Sequence, residues 1–135
     1  MKVLLSLALC LLPYFALAQT GNEAAMLAQK QLDAYNAKNL EAFLSVYSED
    51  VKVYNHPDQL ILQGKAKMRA RYKDRFDNSP DLHCTLTNRM VLGNVVIDQE
   101  YVIRDKSQPA IEVIAMYKIA DGKIAEVYFI RPDKE

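Results

Sequence analysis

The chain has 135 residues and contains only two cysteines, Cys10 and Cys84, and two histidines, His56 and His83. Cys10 lies in an N-terminal apolar run that we expect to be removed, so Cys84 has no partner for an intramolecular disulfide. A lone cysteine is usually a small buried residue, and His83 points to the opposite face of a strand from Cys84, which disfavours a nucleophile. The histidines show no metal-ligand spacing with Cys84 or acidic residues, so we predict no metal site.

Glycine motifs and excess charge are also lacking. The four glycines form no phosphate-binding motif and the chain has no nucleophile elbow, so we predict no cofactor. Lysine and arginine number 17, as do aspartate and glutamate, and without Lys2 the net charge is −1. The one basic stretch, residues 65–75, is expected to spread around the exposed face of a helix. We therefore predict no nucleic-acid partner, which would need a concentrated basic surface.

The first 18 residues resemble a targeting signal. Lys2 precedes an apolar run over residues 3–12, and Ala16 and Ala18 place small residues where a signal peptidase cleaves. The run is shorter than the ~20 apolar residues of a membrane span, so no membrane span is predicted. We expect a signal peptide at residues 1–18 and one exported domain at residues 19–135, secreted or periplasmic.

Helical spacing of apolar residues dominates the first half of the mature chain. It predicts a helix over residues 22–37, capped by Asn22, and a short helix that begins after Asn39 and carries Tyr47 on its apolar face. Residues 48–50 are expected to end the short helix. A third helix is predicted over residues 65–76, opened by Gly64.

Alternating or strongly apolar segments predict strands, and two dipeptides, Gly93-Asn94 and Asp121-Gly122, predict hairpin turns. The predicted strands cover residues 51–54, 60–62, 82–92, 95–104, 110–119 and 124–130. Helices followed by a mostly antiparallel sheet indicate an α+β domain. A strongly curved sheet around the helices would leave an apolar concavity at its open end.

The turn after the first strand is the strongest local candidate for a site. It contains Tyr54, Asn55 and His56 ahead of Pro57. The ordinary pKa of histidine, about 6.5, suits proton transfer near neutrality. Asn and Pro are also ordinary turn residues, so an exposed turn without function is the alternative.

Three carboxylates allow two interpretations each. Asp98 and Glu100 share one face of a strand. They form either a pair for acid–base chemistry or cation binding, or part of a charged face that points outward. The second interpretation rests on the opposite face of the strand, which is more apolar. Glu112 lies in the most apolar strand, where a buried carboxylate must be paired or neutral. It is predicted either to pair with Arg89 or Arg104 or to act as a pocket acid with a raised pKa.

Tyrosines outnumber phenylalanines, eight to four. A buried tyrosine needs a partner for its hydroxyl, and pockets use such hydroxyls to orient ligands. We therefore predict ligand contacts at Tyr35, Tyr54, Tyr117 and Tyr128, although most tyrosines are expected to be core.

Several segments resemble one superfamily. Residues 35–43 (YNAKNLEAF) and 47–51 (YSEDV) are similar to the opening of nuclear transport factor 2-like (NTF2-like) proteins. Residues 88–98 and 117–124 are most similar to the SnoaL-like and steroid delta-isomerase-like members. The resemblance implies an NTF2-like cone, in which N-terminal helices pack in a strongly curved, mostly antiparallel sheet with a pocket at the wide end.

The resemblance also places candidate site residues. Isomerases of this superfamily combine a carboxylate base with a Tyr and a protonated Asp that hold the developing oxyanion. The base position falls on Asn55 or His56, the Tyr position on Gln31 and the Asp position on Ala115. None of the three residue types is kept, which implies a divergent site with His56 as base and Glu112, Gln31 or a pocket tyrosine as donor. Asn55 and Ala115 then become ligand contacts.

Two functions of different class follow from these observations. The first is an exported domain that binds a small apolar molecule and carries a divergent isomerase-like or cyclase-like proton transfer. The second is a non-catalytic binding or dimerisation module, in which the exposed face of the sheet forms a homodimer and the pocket is vestigial. A fold shared by enzymes, binders and assembly modules does not choose between them.

Overall fold

The structure is a computed structural model that describes residues 12–133, with side chains from Thr20 onward. Within this range the chain forms three helices and six strands. The helices are α1 (Leu12–Asn36), α2 (Leu40–Ser45) and α3 (Lys65–Asn78). The strands are β1 (Tyr47–Asn55), β2 (Gln59–Gln63), β3 (His83–Leu92), β4 (Val95–Ile103), β5 (Ile111–Ala120) and β6 (Lys123–Ile130). Residues 1–11 of the predicted signal peptide lie outside the described residues.

The strands form one sheet in the order β2-β1-β6-β5-β4-β3. Every neighbouring pair is antiparallel except β1 and β6, which run parallel. The sheet is curved around the helices and does not close into a barrel. The predicted α+β cone with a mostly antiparallel sheet is therefore confirmed.

Helix α1 begins earlier than predicted, at Leu12, and the prediction that Asn22 caps it is wrong because Asn22 lies inside the helix. The apolar residues before Asn22 continue the helical pattern. Gly21 interrupts it at a cost of only about 1 kcal/mol, which packing against the sheet can offset. The sequence offers no proline between Leu12 and Asn22 except Pro13, which the first turn of a helix tolerates.

The junction between α2 and β1 also differs from the prediction. Asn39 caps α2 as expected, since its side chain accepts a hydrogen bond from the Ala42 amide at 3.1 Å. Residues 48–50 do not end this helix but belong to β1. The strand begins at Tyr47 because Tyr47 already pairs with Ile124 of β6.

The third helix and the remaining strands lie where they were predicted, within one or two residues at their ends. Gly64 precedes α3 with φ at 94°, a conformation that a residue with a Cβ rarely adopts. Met68, Tyr72 and Phe76 recur at helical spacing on the buried side of α3. This face of α3 therefore packs onto the core.

Aromatic rings join the three helices to one another. Phe43 of α2 lies between Tyr35 of α1 and Tyr72 of α3, with ring centroids 6.1 and 4.4 Å away. Phe76 contacts Tyr35 edge-on at 5.6 Å. Such pairs stabilise by about 1 kcal/mol beyond the area they bury, so this cluster fixes the helical wall of the cavity described below.

The opposite face of the sheet carries an apolar row across five strands. Met90, Ile97, Met116, Tyr128 and Tyr54 are successive neighbours in register on β3, β4, β5, β6 and β1. Met90 is 58% exposed and the other four are partly exposed.

No helix of residues 12–133 is both long enough and apolar enough to cross a membrane.

Candidate functional site

A cavity lies between the helices and the inner face of the sheet. Its volume is about 70 Å³, room for several water molecules or a few carbon atoms. Its walls are mostly apolar, formed by Leu32, Phe43, Val53, Ile61, Val102, Ile111, Val113 and Phe129. The polar side chains of the lining include a buried group around Glu100 and a group of four arginines, three of them exposed, at the mouth of the cavity.

Glu100 of β4 is the carboxyl group inside the cavity. Its side chain lines the space and the residue is only 6% exposed. Burial raises the pKa of Glu100 from 4.5 to about 7, and the charge of Asp98 adds to this effect. A hydrogen bond from the Tyr117 hydroxyl to Glu100 Oε1, at 3.1 Å, opposes it. Glu100 can therefore gain or lose a proton near neutral pH.

A line of buried hydrogen bonds leads to Glu100. The Tyr47 hydroxyl donates to Gln31 Oε1 at 3.3 Å, and Gln31 Nε2 donates to the Tyr117 hydroxyl at 2.9 Å. Tyr117 then donates to Glu100. Burial raises the pKa of both Tyr47 and Tyr117 well above 10, so both remain protonated donors. The predicted site residues Gln31 and Tyr117 are thus brought together at the cavity.

Cys84 of β3 lines the same cavity next to Glu100. Its backbone is held at both ends by Asn36, whose side chain accepts from the Cys84 amide at 2.8 Å and donates to the Cys84 carbonyl at 2.9 Å. Burial, followed by the charge of Glu100, raises the pKa of the Cys84 thiol far above its usual value. The thiol is a poor nucleophile here, because the thiolate is the reactive form.

The mouth of the cavity carries four arginines, Arg71, Arg75, Arg104 and Arg131. Tyr35, one of the predicted contacts, also lines the cavity, and burial raises its pKa to about 12 even though the positive charge of Arg75 opposes this rise. Burial lowers the pKa of Arg104, and the neighbouring positive charge of Arg75 lowers it further. The basic stretch of α3 was predicted to spread around a solvated face, but Arg71 and Arg75 converge on this mouth.

Asp98 points inward, and the interpretation of Asp98 and Glu100 as an outward charged face is wrong. Asp98 is fully buried and accepts two hydrogen bonds from Arg89, from Nε and from the second terminal nitrogen, both at 2.7 Å. Arg89 also donates to Gln29 of α1 at 3.0 Å. Asp98 therefore forms a buried structural ion pair with Arg89, whereas Glu100, two residues further along the strand, faces the cavity.

Glu112 is exposed, and the prediction that it is buried is wrong. It lies on the outer face of β5 and accepts a hydrogen bond from Gln99 Nε2 at 2.9 Å. Alternation along β5 places Val113 and Tyr117 inward, which turns Glu112 outward. Its predicted partners also differ, since Arg89 pairs with Asp98.

The other predicted site residues lie away from the cavity. His56 is exposed in the turn after β1, and Asn55 hydrogen-bonds to a residue across that turn. Tyr54 and Tyr128 stack on the outer face of the sheet with centroids 4.8 Å apart. Ala115 is fully buried on the inner face but does not line the cavity. The structure therefore does not bring His56 to Glu100 or to the tyrosine network.

Within residues 12–133 no three His, Cys, Asp or Glu side chains come together as metal ligands. A carboxyl group that titrates near neutrality can act as a general acid or base, and the charged mouth can attract an anion.

Comparison with known proteins places the chain in a family. The SnoaL-like domain family matches residues 28–127, and the chain belongs to it. Among solved structures, an uncharacterized cystatin fold protein from Novosphingobium aromaticivorans is 24% identical, with a TM-score of 0.74, over 80% of this chain and 97% of that one. None of the curated proteins matches the chain.

Two further structures share the fold at lower identity. A protein from Kribbella flavida provisionally assigned as a ketosteroid isomerase is 17% identical, with a TM-score of 0.73, over 85% of this chain and 82% of that one. A protein from Xanthomonas campestris provisionally assigned as a polyketide cyclase is 19% identical, with a TM-score of 0.65, over 84% of this chain and 93% of that one. At these identities the likeness concerns the fold.

Proposed function

We propose that this SnoaL-like domain binds a small molecule in its cavity and catalyses a proton transfer, with Glu100 as the acid–base group. The observation that carries the proposal is a single carboxyl group in an apolar cavity with a pKa of about 7. An ideal acid–base group has a pKa near the working pH, because both protonation states are then populated. Glu100 replaces His56 in the role that the sequence suggested.

The proposed reaction is the movement of a proton between two carbons next to a carbonyl group. The Glu100 carboxylate takes the proton, so a C–H bond breaks and an O–H bond forms, and the electron pair moves onto the carbonyl oxygen. The protonated Glu100 then returns the proton to the second carbon. Tyr35 and Arg75, which line the same cavity, offer an O–H and an N–H donor, respectively, for the transient oxyanion.

The proposal is tested with a small β,γ-unsaturated ketone, 3-cyclohexenone, in deuterium oxide. Wild-type protein is expected to convert it to the conjugated ketone with deuterium incorporation, both followed by NMR. Glu100→Gln removes the base but keeps the hydrogen-bonding shape, and is expected to lower the rate at least ~100-fold. Glu112→Gln, on the next strand but on the outer face, is the matched control and should keep the wild-type rate. Equal rates for wild type and Glu100→Gln, or no conversion by either, would refute the proposal.

A homodimer is a second proposal, and the apolar row on the outer face of the sheet favours it. Five partly exposed apolar residues in register across five strands form a continuous surface of the kind that interfaces use. Met116→Glu, at the centre of the row, is expected to convert a dimer into a monomer in sedimentation velocity. Lys67→Glu on α3 is the control and should leave the dimer intact. A wild-type monomer would exclude this proposal.

We also propose that the chain is exported and cleaved after Ala18. The small residues Ala16 and Ala18 behind an apolar run support it. N-terminal sequencing of the protein from its own host should begin at Gln19. A sequence that begins at Met1 would exclude export by this route.

A further inference from the structure

The mouth of the cavity gathers positive charge from three separate parts of the chain. Arg71 and Arg75 lie one turn apart on α3, so they share a face. Arg104 directly follows β4 and Arg131 directly follows β6. All four line the cavity that holds Glu100. Residues distant in sequence therefore converge on one opening.

These arginines lack carboxylate partners among the residues that the structure describes. Three other cations of α3 have carboxylate partners, since Lys65 pairs with Glu49, Arg69 with Glu41 and Lys73 with Asp77. In contrast, none of the four mouth arginines forms an ion pair with a carboxylate of residues 12–133. Burial lowers the pKa of Arg104, and the positive charges of Arg75, Arg131 and Arg71 lower it further, as expected for cations that repel one another.

Like charges held together cost free energy unless a ligand of opposite charge offsets them. Guanidinium groups bind carboxylate and phosphate oxygens through paired N–H donors, which gives both strength and orientation. Behind the mouth the walls are apolar, with Val102, Ile111 and Val113 on the sheet side. The arrangement matches a molecule with an anionic head and an apolar body.

We propose that the ligand of this cavity is an amphipathic oxyanion, whose head group lies among Arg71, Arg75, Arg104 and Arg131 and whose apolar body points toward Glu100. This inference rests on the cavity being the ligand site, and it changes the expected ligand from an apolar molecule to a carboxylate or a related oxyanion. The volume of about 70 Å³ is roughly half of the ~150 Å³ cavity that holds benzene, so the cavity encloses a short chain or one edge of a six-membered ring, and the rest of the ligand lies in the mouth.

The test compares hexanoate with hexanamide, which has a similar shape but no charge. Binding is measured by NMR titration of two forms of the protein, the full-length chain and the chain processed after Ala18. The signals followed are the methyl groups of Val102, Ile111 and Val113. Hexanoate is expected to bind at least ~10-fold more tightly than hexanamide, and to weaken as salt rises from ~50 to ~500 mM. Equal binding of the two probes, no binding of hexanoate, or shifts confined to other residues would overturn the inference.

Variants locate the charge that matters. Arg104→Gln and the double variant Arg71→Gln/Arg131→Gln should each weaken hexanoate binding at least ~5-fold and leave hexanamide unchanged. Lys67→Gln, which removes a charge of α3 away from the mouth, is the control and should bind as wild type. Equal weakening by Lys67→Gln would show a general charge effect and overturn the inference.

The outcome is separable from that of the proton-transfer assay. Selective hexanoate binding without conversion of 3-cyclohexenone supports the anion site and removes the catalytic proposal. Conversion without a preference for hexanoate over hexanamide keeps the catalytic proposal and removes the anion site.

Discussion

The Tyr117 hydroxyl donates a hydrogen bond to Glu100 Oε1 at 3.1 Å, and this contact joins the cavity to the buried polar network. The same hydroxyl accepts from Gln31 Nε2 at 2.9 Å. Tyr117 therefore sets how readily Glu100 ionises, because a donor to a carboxylate favours its charged form.

Tyr117→Phe is expected to raise the pKa of Glu100 above about 7, since the hydrogen bond that lowers it is lost while burial remains. A pH titration of the Glu100 carboxyl carbon by NMR measures the change. Tyr101→Phe, an exposed tyrosine on the outer face, is the control and should not move the titration. A lower or unchanged pKa in Tyr117→Phe would contradict the role assigned to this hydrogen bond.

The titration of Glu100 also predicts how stability varies with pH. Its pKa is higher in the folded chain, about 7, than the ordinary 4.5. Between pH 4.5 and about pH 7 the folded chain keeps a proton on Glu100 that the unfolded chain has released. The stabilisation of the fold by this proton is therefore complete below pH 4.5 and is lost as pH rises through about 7. Across this pH range the contribution of Glu100 to the free energy of unfolding falls by about 3 kcal/mol.

Chemical denaturation from about pH 4 to about pH 9 checks this sign. The unfolding free energy of wild type minus that of Glu100→Gln should fall as pH rises and level off above about pH 8. A difference that rises with pH would mean that the folded state favours the carboxylate.

Removal of Arg89 should destabilise the fold strongly. Arg89→Met leaves Asp98, which is fully buried, without its two hydrogen bonds, and an uncompensated buried charge costs about 3–5 kcal/mol. The double variant Arg89→Met/Asp98→Leu removes both charges and should recover most of that loss in urea unfolding. If the double variant were as unstable as Arg89→Met, packing rather than charge would explain the effect.

The contact between Asn36 and Cys84 is a further test of how α1 is attached to the sheet. Asn36→Ala removes both hydrogen bonds to the backbone of edge strand β3 and is expected to cost about 2 kcal/mol. Asn78→Ala removes a hydrogen bond to Asp74 on the exposed surface of α3 and should cost less than about 0.5 kcal/mol. Equal losses of unfolding free energy in the two variants would mean that the two hydrogen bonds from Asn36 to the Cys84 backbone do not stabilise the fold.

Most helices and strands could be predicted from the sequence because the apolar periodicity and turn residues that define them are local patterns. The apolar spacing of α3 and the turn dipeptides Gly93-Asn94 and Asp121-Gly122 all placed elements correctly. The start of β1 was missed because Tyr47 is held in the strand by Ile124, a partner 77 residues away that local periodicity does not reveal.

The inward face of β4 was assigned incorrectly for a physical reason. Val95, Ile97 and Tyr101 make one face more apolar than the face of Asp98 and Glu100, so the apolar face was expected to point inward. The outer face of this sheet is itself apolar, and the inner face places a buried ion pair and a cavity carboxyl between Val96 and Val102. Valine at both ends of the inner face was the available signal.

The cationic mouth could not be assembled from local patterns. Arg71 and Arg75 lie within a basic helix that resembles an ordinary solvated surface, and Arg104 and Arg131 each follow a strand as single charges. Only the order of strands in the sheet brings the ends of β4 and β6 to the same opening as α3.

The pH dependence of kcat/KM for 3-cyclohexenone shows whether Glu100 exchanges protons with a ligand in the cavity. For wild type, kcat/KM should rise through a midpoint near pH 7, where Glu100 becomes a carboxylate, and then level off. Tyr117→Phe should move the midpoint upward, and Glu100→Gln should abolish the pH-dependent activity. A profile that keeps the same midpoint in Glu100→Gln would contradict the account.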